Sequence, residues 1–423
     1  MSRSEVDLII IGAGAAGIGA AKRARSLGIT FTVLEASHRV GGRAYTERIG
    51  PKRQPFDLGC HWMHSASLNP MVEIADDLGF SYSKAKQSWR AFFIDGRRET
   101  EAERQEWATF YDDTYVSLAE AVDNGKEASV ADLTPRESRW TPYWDYIFSL
   151  YTSFDPDQVS AQDLEAYHDT DENWPLREGY GALVSRFAED IPVELNTPVN
   201  RVDWSGNGIE AETPRGTVRG RAVVVTVSTG VLGAGDIVFD PALPDETLSA
   251  IFHLPLGCHN RIGLVFSRDL FDRNPLQAFG VLSNDSDDVP MIFRAKPLGH
   301  DYVVGITGGR HADWLERAGA EASVELALEK LKSIFGTGIA KHLIDSNVSA
   351  WRGDPWIRGA YSAAAPGHAE ARSVLRKPIA ERLYFAGEAT HASFYSTCHG
   401  AYLSGIDAVN AAIASLDKNA PAK

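Results

Sequence analysis

The chain has 423 residues, more than one compact core usually holds, so we expect two domains. Its residues are 44% hydrophobic and 23% charged, as in soluble globular proteins, and no apolar run is long enough to span a bilayer. The formal net charge of −15 argues against non-specific nucleic-acid binding, because such binding needs a basic surface. We therefore expect neither nucleic acid nor a membrane among its partners.

The cysteines and the two ends of the sequence give expectations about the compartment. Cys60, Cys258 and Cys398 are too widely separated for a disulfide framework or a metal cluster, so we expect no metal site. An apolar strand begins within a few residues of Met1, which leaves no room for a signal peptide, and the last residues carry no apolar anchor. We expect a cytoplasmic monomer or homodimer.

The first elements predict a βαβ unit. Val6–Ile11 is a short, continuously apolar run that ends at a glycine, which is typical of a buried parallel strand. Residues 15–27 are rich in alanine and are closed by Gly28, which predicts a helix. Phe31–Leu34 is a second apolar run, so strand, helix and strand follow one another closely.

The rest of the chain mixes helical and strand patterns, which predicts an α/β fold. Residues 69–174 interleave aromatic and acidic residues at helical spacing, with few strand signals. Strand patterns lie within 193–203, 208–227 and 261–307. An amphipathic helix, a last strand and a long alanine-rich helix are predicted at Ala320–Phe335, 383–386 and 397–416.

A glycine motif after the first strand indicates a nucleotide site. Gly12 permits a tight turn, Gly14 lets a pyrophosphate approach the backbone, and Gly17 allows close helix–strand packing. The helix N-terminus offers unpaired N–H groups and a positive dipole to phosphates. Glu35, at the end of the second strand, is placed to bind ribose hydroxyls. The predicted contacts of this unit are Gly12, Gly14, Ala15, Ala16, Gly17, Glu35 and Ala36.

A second glycine turn follows closely, in the sequence RVGGR, and favours FAD over NAD. Gly41 and Gly42 can bring main-chain N–H groups to phosphate oxygens, and Arg39 or Arg43 can pair with those oxygens bidentately. A nicotinamide enzyme has no evident use for a second anchor so near the first. The alternative interpretation is an ordinary turn flanked by solvated arginines.

Further motifs make the chain resemble the flavin-containing amine oxidase superfamily, and within it the polyamine oxidase and histone lysine demethylase branch. The resemblance covers nearly the whole chain. Besides the two glycine turns, it rests on 57–64 (DLGCHWMH), 230–232 (GVL), 256–261 (LGCHNR), Trp351, 355–361 (PWIRGAY), 385–391 (FAGEATH) and 396–405 (STCHGAYLSG).

The resemblance implies a Rossmann-type FAD-binding domain and a discontinuous α+β domain for the substrate. We expect the FAD-binding domain at 1–70, 180–255 and 371–423. The substrate-binding domain is then expected at 71–179 and 256–370.

The resemblance also implies further FAD contacts. Glu388 follows a strand, where open α/β sheets bind ligands, and is expected at the ribityl or phosphate region. Thr397 and Cys398 begin a helix whose N-terminus would stabilise negative charge on the reduced flavin. The backbone of Val199 is expected at the adenine. The remaining implied contacts are Gly59, His61, Trp62, Trp351, Trp356 and Gly387.

The expected substrate site lies beside the flavin. By the same resemblance, Tyr361 forms one wall of an aromatic cage that orients an amine, and Thr397 stands where several relatives have the opposite wall. His64 lies in a segment that lines the substrate channel, where it can bind or deprotonate an ammonium. The alternative for Tyr361 and His64 is core packing. Ala360 stands where monoamine oxidases have a flavin-bonded cysteine, so FAD should be non-covalent.

Arg261 departs from the family pattern, in which a lysine holds a water near flavin N5 and assists reoxidation by oxygen. Arginine keeps the charge, but it does not deprotonate and it is bulkier. We expect altered oxygen reactivity or another electron acceptor. Alternatively the register slips by one residue, and Arg261 is a solvated strand residue.

The expected activity is oxidation of a polyamine, a primary monoamine or an N-alkylated amine. Hydride passes from the carbon alpha to the amine to flavin N5, the imine hydrolyses, and O2 reoxidises the flavin to give hydrogen peroxide. The alternatives are an L-amino-acid oxidase with Arg261 on the substrate carboxylate, a dehydrogenase or desaturase with another acceptor, and a scaffold that binds a partner protein. Acidic residues that can recognise a distal ammonium are Glu99, Glu103, Asp112 and Asp169.

Overall fold

The computed structural model describes residues 5–85, 91–271, 276–285 and 288–418. Its strands are β1 (Val6–Ile11), β2 (Phe31–Leu34), β3 (Thr46–Ile49), β4 (Gln54–Asp57), β5 (Trp62–Met63), β6 (Phe92–Ile94), β7 (Arg97–Arg98), β8 (Trp174–Pro175), β9 (Val193–Glu194), β10 (Arg201–Asp203), β11 (Ile209–Thr213), β12 (Gly216–Val225), β13 (Val238–Asp240), β14 (His259–Phe266), β15 (Ala278–Leu282), β16 (Met291–Ala295), β17 (Val303–Gly308), β18 (Leu343–Val348) and β19 (Leu383–Phe385). Its helices are α1 (Ala15–Ser26), α2 (Pro70–Asp77), α3 (Glu101–Asp123), α4 (Val130–Leu133), α5 (Thr141–Thr152), α6 (Ala161–Glu165), α7 (Tyr180–Phe187), α8 (Thr229–Ala234), α9 (Asp245–Phe252), α10 (Gly309–Ala318), α11 (Ala320–Phe335), α12 (Ala371–Leu375) and α13 (Cys398–Lys418).

The first sheet has the order β13-β10-β11-β12-β1-β2-β9, with β19 also paired to β12. Its centre is parallel, because β1 pairs with β2 and β12, and β12 pairs with β19. The end of β1 and residues 222–225 are buried on both faces of the sheet, which is why they are continuously apolar. Parallel strands end at the same edge of a sheet, so the segments that follow β1, β2, β12 and β19 come together there.

Helices α1 and α13 pack against each other on one face of this sheet. Their approach depends on glycine. A Cβ on Gly19 would lie 2.4 Å from the carbonyl oxygen of Tyr402, and a Cβ on Gly405 would lie 2.0 Å from the carbonyl oxygen of Ala16. Both distances are shorter than any ordinary van der Waals contact, so the alanine- and glycine-rich composition of both helices sets how closely they pack.

The second sheet has the order β18-β14-β17-β16-β15-β6-β7 and is antiparallel except for the pair of β6 and β15. Helix α11 covers it through Ala327 and Leu331. Helix α5 is tied to it by Tyr146, whose hydroxyl donates to the Ile306 carbonyl at 2.5 Å and accepts the Ile292 N–H at 2.6 Å.

The chain passes back and forth between the two sheets. β1, β2, β9 to β13 and β19 belong to the first sheet, whereas β6, β7 and β14 to β18 belong to the second. This confirms the predicted α/β fold with two interleaved parts. The residue boundaries given for the two domains stay a prediction.

Single elements follow the sequence closely, with one exception. The βαβ unit and the helix Ala320–Phe335 lie where they are predicted. The prediction of strand through 193–203 is wrong in its middle, because Asn196 takes a left-handed conformation (φ 51°) and Pro198 has no N–H for a ladder. The resulting loop carries Val199 to the cavity described below. Within the described ranges, none of the helices is long and apolar enough to cross a membrane.

Candidate active site

A cavity of about 1300 Å³ lies at the edge where β1, β2 and β19 end, and residues of both sheets form its walls. Of the predicted site residues, those that line it are Gly12, Gly14, Ala15, Ala16, Glu35, Ala36, Arg39, Gly41, Gly42, Arg43, Gly59, His61, Trp62, His64, Val199, Trp351, Trp356, Tyr361, Gly387, Glu388, Thr397 and Cys398. Two predicted residues, Gly17 and Arg261, are not part of the lining.

The first glycine turn leaves helix α1 open to the cavity. Gly12 has a φ of 103°, which favours glycine, and a Cβ on Gly17 would lie 1.9 Å from the Gly12 carbonyl oxygen. Gly17 therefore packs against the turn, which is the role that the sequence predicts for it. A Cβ on Gly14 would meet nothing within 4 Å, and no side chain caps the helix at this residue. The N–H groups of the first turn are left for a ligand.

Glu35 is held at the end of β2 by the backbone. Its carboxylate accepts the N–H of Ala13 at 2.6 Å and the N–H of Ser37 at 2.7 Å. Burial raises its pKa, against the effect of these two hydrogen bonds. The carboxylate is thus fixed beside the first glycine turn and lines the cavity. Its contact with a ribose stays a prediction.

The two glycine turns touch each other. The Gly41 N–H donates to the Ala13 carbonyl at 2.8 Å, and a Cβ on Gly42 would lie 3.4 Å from the Cα of Gly14. Arg39 stacks on the ring of Tyr45, 3.8 Å from its centroid, and donates to the Gly42 carbonyl at 2.7 Å. Arg39 therefore shapes its own turn, and its pairing with a phosphate stays a prediction.

Glu388 has protein partners where the sequence predicts a cofactor contact. It accepts Arg43 Nη1 at 2.8 Å, the Ser362 hydroxyl at 2.7 Å and the Ser396 N–H at 3.0 Å. Burial opposes its ionisation, but the charges of Arg43 and Arg372 and the hydrogen bonds from Ser362 and Arg43 together lower its pKa. This ion pair joins the second glycine turn to the segment that carries Tyr361. Its part in binding the ribityl or phosphate region stays a prediction.

Helix α13 begins at the cavity wall, as predicted. The Thr397 hydroxyl accepts the Gly400 N–H at 3.0 Å and donates to the Phe394 carbonyl at 2.6 Å, so it caps the helix. A hydrogen bond to Cys60 and burial raise the pKa of the Cys398 thiol, which is thus neutral beside the helix N-terminus. All three cysteines are free thiols.

These residues fit FAD. At Gly14 and Gly387 a Cβ would meet nothing within 4 Å, so the bare backbone faces the space that a cofactor would fill. The uncapped N-terminus of α1 and the second glycine turn supply N–H groups for a pyrophosphate. Ala360 carries only a methyl group, so it offers no atom for a covalent bond to a flavin.

Tyr361 forms one wall of the far end of the cavity. Its hydroxyl donates at 2.6 Å to the carbonyl of Leu150, which lies in the last turn of α5 and has no partner within the helix. The ring is therefore held at both ends, and the residue lines the cavity. Thr397, which stands where several relatives have the opposite wall, lines the cavity, and its hydroxyl caps α13.

His64 lies in the same part of the cavity. Its Nδ1 is 2.5 Å from the Oδ1 of Asn173, so Nδ1–H donates to the amide oxygen and the Nε2 of the neutral ring is the acceptor. Burial lowers the pKa of His64, although the hydrogen bond that it donates to Asn173 works in the opposite direction. His64 is thus a neutral imidazole in the cavity wall, and its role toward an amine stays a prediction.

Arg261 lies behind the cavity rather than in it. It is 4% exposed on β14, a strand paired on both sides by β17 and β18. Its Nη1 donates to His61 Nδ1 at 2.8 Å, and His61 lines the cavity. Arg261 is thus not the solvated residue of the alternative, and its role toward the reactants or a substrate carboxylate stays a prediction. The contact with His61 is one route by which Arg261 can affect the cavity.

Several cavity residues were missed from the sequence, among them His259, Arg294 and Tyr395. His259 lines the wall with its ring centroid 5.7 Å from that of Tyr361, and burial lowers its pKa to about 3. It precedes Arg261 by two residues on one strand, so the strand period is the signal that could have found it. Arg294 and Tyr395 also line the cavity, and neither stands in a motif that indicates a site.

Of the four acidic residues singled out in the sequence, one lines the cavity and three do not. Asp169 lines the cavity, whereas Glu99, Glu103 and Asp112 do not. Glu99 and Glu103 are ion-paired instead, with Arg104 and Arg97, at 2.8 and 2.7 Å.

The fold and the cavity define a class: an α/β protein with a dinucleotide cradle that opens into a second, buried site. A family model described as flavin containing amine oxidoreductase matches residues 145–413, and a model of an NAD(P)-binding Rossmann-like domain matches residues 10–78. The chain belongs to the flavin-containing amine oxidoreductase family. Its cofactor is FAD.

Curated relatives cover most of the chain. Lysine-specific histone demethylase 1 homolog 1 of Oryza sativa subsp. japonica is 28% identical over 94% of this chain and 51% of its own length. Polyamine oxidase 4 of the same organism is 27% identical over 96% of this chain and 88% of its own length. The chain thus spans about half the length of the demethylase, but most of the polyamine oxidase.

Solved structures share the fold. Putrescine oxidase bound to putrescine is similar with a TM-score of 0.80 at 20% identity, covering 97% of this chain and 99% of that one. Cyclohexylamine oxidase from Brevibacterium oxydans IH-35A gives 0.78 at 22% identity, covering 98% of this chain and 100% of that one. At these identities the comparison shows the fold alone.

Proposed function

We propose that the enzyme oxidises a small amine at the carbon next to nitrogen and that O2 accepts the electrons, giving hydrogen peroxide. The observation that carries this proposal is the single cavity that joins the two glycine turns to Tyr361 and His64. FAD, when bound, supplies the two-electron acceptor, and the glycine turns, Glu35 and the start of α13 are the residues that would hold it. The imine product hydrolyses in water.

Tyr361 orients the amine. Because its hydroxyl is fixed on the Leu150 carbonyl at 2.6 Å, the ring cannot turn away, and its π-face presents negative charge density to the nitrogen. Positioning of this kind supplies much of the rate of a reaction that needs one C–H bond aimed at its acceptor.

His64 receives the amine at the cavity wall. Its Nδ1–H is committed to Asn173, which leaves Nε2 as a hydrogen-bond acceptor for an N–H of the substrate. Because burial lowers the pKa of His64, the ring stays neutral and favours an uncharged amine, the form whose C–H bond can be oxidised.

The relatives support a small amine substrate. Their printed names include polyamine oxidases, a putrescine oxidase and a cyclohexylamine oxidase, and others are named histone demethylases. A polyamine, a primary monoamine and an N-alkylated amine are therefore the substrates to test first.

A second candidate is a dehydrogenase that passes electrons to an acceptor other than O2. The observation that favours it is Arg261, which stands at the position of the family lysine but donates to His61 behind the cavity. No side-chain ammonium that can release a proton stands there.

The test separates the two half-reactions. The purified protein is mixed anaerobically with a panel of amines, and bleaching of the flavin absorbance is recorded. The reduced protein is then mixed with O2, and peroxide is measured. We expect bleaching by amines and about one peroxide per flavin. Absence of bleaching by every amine contradicts amine oxidation. Bleaching followed by slow reoxidation without peroxide favours the second candidate.

A further inference from the structure

Two of the three cysteines meet at the wall of the cavity. Cys60 and Cys398 both line it, and a hydrogen bond joins their thiols. The two side chains also share one apolar cluster, in which Cys60 packs against the group of buried residues that contains Cys398. Both are free thiols. The fold thus brings together two cysteines that are widely separated in the sequence.

The backbone ties each of these cysteines to a segment that we expect at the cofactor. The Cys60 N–H donates to the Arg43 carbonyl at 3.3 Å, and a Cβ on the preceding Gly59 would lie 2.0 Å from the same oxygen. Cys60 is thereby held against the second glycine turn. Cys398 is the first residue of α13, whose start is capped by Thr397. The contact between the thiols therefore joins two segments of the cavity wall.

The two thiols differ in acidity. The hydrogen bond with Cys398 is the largest influence on Cys60 and lowers its pKa, while burial opposes this effect and the charge of Arg43 supports it. The same hydrogen bond and burial raise the pKa of Cys398. Cys60 is therefore the sulfur that ionises first, and Cys398 is the neutral thiol beside it. A thiolate next to a second thiol is typical of cysteine pairs that react with peroxide.

From this contact we propose that Cys60 and Cys398 are a dithiol that hydrogen peroxide converts to a disulfide. The Cys60 thiolate attacks one oxygen of the peroxide, the O–O bond breaks, and hydroxide leaves and is protonated to water. The Cys398 sulfur then attacks the sulfenic acid on Cys60. The S–S bond forms, the S–O bond breaks, and a second water leaves with the proton of the thiol. The two cysteines lose two electrons, and one peroxide becomes two waters.

The inference goes beyond the proposed function. Oxidation of an amine with O2 would produce the peroxide in the cavity that the two thiols line, but peroxide from any other source gives the same reaction. The disulfide would join the segment at the second glycine turn to the start of α13 by a covalent bond. The enzyme would thus record exposure to peroxide in the wall of its cofactor site.

Cys258 serves as an internal reference. It is not part of the cavity lining, and its Sγ accepts Arg352 Nε at 2.9 Å. Burial raises its pKa to about 11, so the thiol is neutral at ordinary pH. Because peroxide reacts with thiolates, we expect Cys258 to stay reduced under conditions that oxidise the other two cysteines.

The first experiment treats the purified holoenzyme with equimolar hydrogen peroxide. The remaining free thiols are alkylated in denaturant, and the peptides are mapped by mass spectrometry with and without prior reduction by dithiothreitol. We expect a cross-link between Cys60 and Cys398 that dithiothreitol reverses, with Cys258 alkylated in every sample. Full alkylation of all three cysteines, or sulfinic acid on Cys60 without a cross-link, overturns the inference.

Variants assign the two roles. In Cys60→Ser, Cys398 should stay a thiol, because it lacks the partner that reacts first. In Cys398→Ala, a sulfenic acid should persist on Cys60 and be trapped by dimedone. Cys258→Ser is the matched control, and its cross-link should form at the rate of the wild type. Oxidation of Cys398 in Cys60→Ser at the rate of the wild type contradicts the assignment.

The outcome does not depend on amine oxidation, because the peroxide is added. If amines bleach the flavin but peroxide gives no cross-link, this inference fails alone. If the cross-link forms but no amine bleaches the flavin, the proposed function fails alone.

Discussion

The guanidinium of Arg261 donates to Nδ1 of His61 at 2.8 Å from behind the cavity wall. An arginine can only donate, so this contact places the His61 proton on Nε2. That nitrogen is buried and has no partner among the described residues. Burial and the charge of Arg261 also hold the pKa of His61 well below its usual value. Arg261 thus keeps His61 neutral and in one tautomer.

Arg261→Met is expected to add a decrease on the acid side of the pH profile of flavin reduction. Burial, the largest cause of the lowered pKa of His61, remains in the variant, but loss of the nearby charge raises this pKa, so the ring protonates at a higher pH than in the wild type. The measurement is the pH dependence of anaerobic flavin reduction in the wild type and the variant. Arg261→Lys, which keeps a cation, is the control. Superimposable acid limbs for wild type and Arg261→Met would show that the contact does not tune His61.

Arg261→Lys is expected to change the reaction with O2 more than the reaction with the amine. A lysine is shorter and can release a proton, whereas the arginine cannot. Stopped-flow rates for reduction by amine and for reoxidation by O2 give the two effects separately. Equal changes in both rates contradict a specific role for this position in reoxidation.

Gly14→Ala is expected to weaken FAD binding while the apoprotein keeps its stability. The added Cβ meets no protein atom within 4 Å, and the φ of −74° suits alanine, so only the cofactor loses space. Gly17→Ala is the contrasting variant, and it should destabilise the apoprotein because its Cβ would lie 1.9 Å from the Gly12 carbonyl oxygen. Overpacking of this kind costs about 1–3 kcal/mol. Urea unfolding of both apoproteins and FAD titration check the difference. Unimpaired FAD binding by Gly14→Ala would contradict the prediction that the first glycine turn binds the cofactor.

Glu388→Gln is expected to lower the free energy of unfolding. Breaking a buried ion pair costs roughly 3–5 kcal/mol, and we expect a loss toward the lower end of this range because the Arg43 side chain is 23% exposed. The folded-state pKa of Glu388 is lowered, so its stabilisation is present above the ordinary carboxyl pKa and is lost as pH falls through the lowered value. Urea unfolding at neutral and acid pH should show that the difference in unfolding free energy between wild type and variant becomes smaller in acid. A difference that does not depend on pH would contradict an origin in the ionised carboxylate of Glu388.

Tyr361→Phe and Tyr361→Leu separate the hydroxyl from the ring. The first leaves the Leu150 carbonyl without its donor, at a cost of about 1–3 kcal/mol, but keeps the π-face. We expect Tyr361→Phe to lose stability while flavin reduction by amine stays within a few-fold, and Tyr361→Leu to lose most of the reduction rate. Equal reduction rates for the two variants would assign the ring to core packing alone.

The cofactor half of the site could be predicted from sequence because its rules are local. Gly12, Gly14 and Gly17 need particular backbone positions at fixed spacing after a strand, and each lies as that spacing predicts. Motif and structure therefore agree here without any knowledge of distant contacts.

The substrate half could be predicted only in part, because side-chain direction there depends on pairing between strands far apart in the chain. Arg261 stands in the expected motif, yet the pairing of β14 with β17 and β18 directs it to His61. Arg294 lies on a strand whose place beside Trp62 no local pattern records. Likewise, Glu388 shows no sign in sequence of its partner Arg43, which precedes it by 345 residues.

The close packing of α1 on α13 has a consequence for biosynthesis. The segments 12–16 and 397–401, each of which contributes residues to the cavity wall, are joined through contacts such as that of Gly405 with the backbone of Ala16. A ribosome delivers α1 long before α13, because more than 350 residues separate the two helices. The wall of the flavin pocket that α13 supplies is therefore missing from the nascent chain until α13 has emerged, and the complete pocket forms only then.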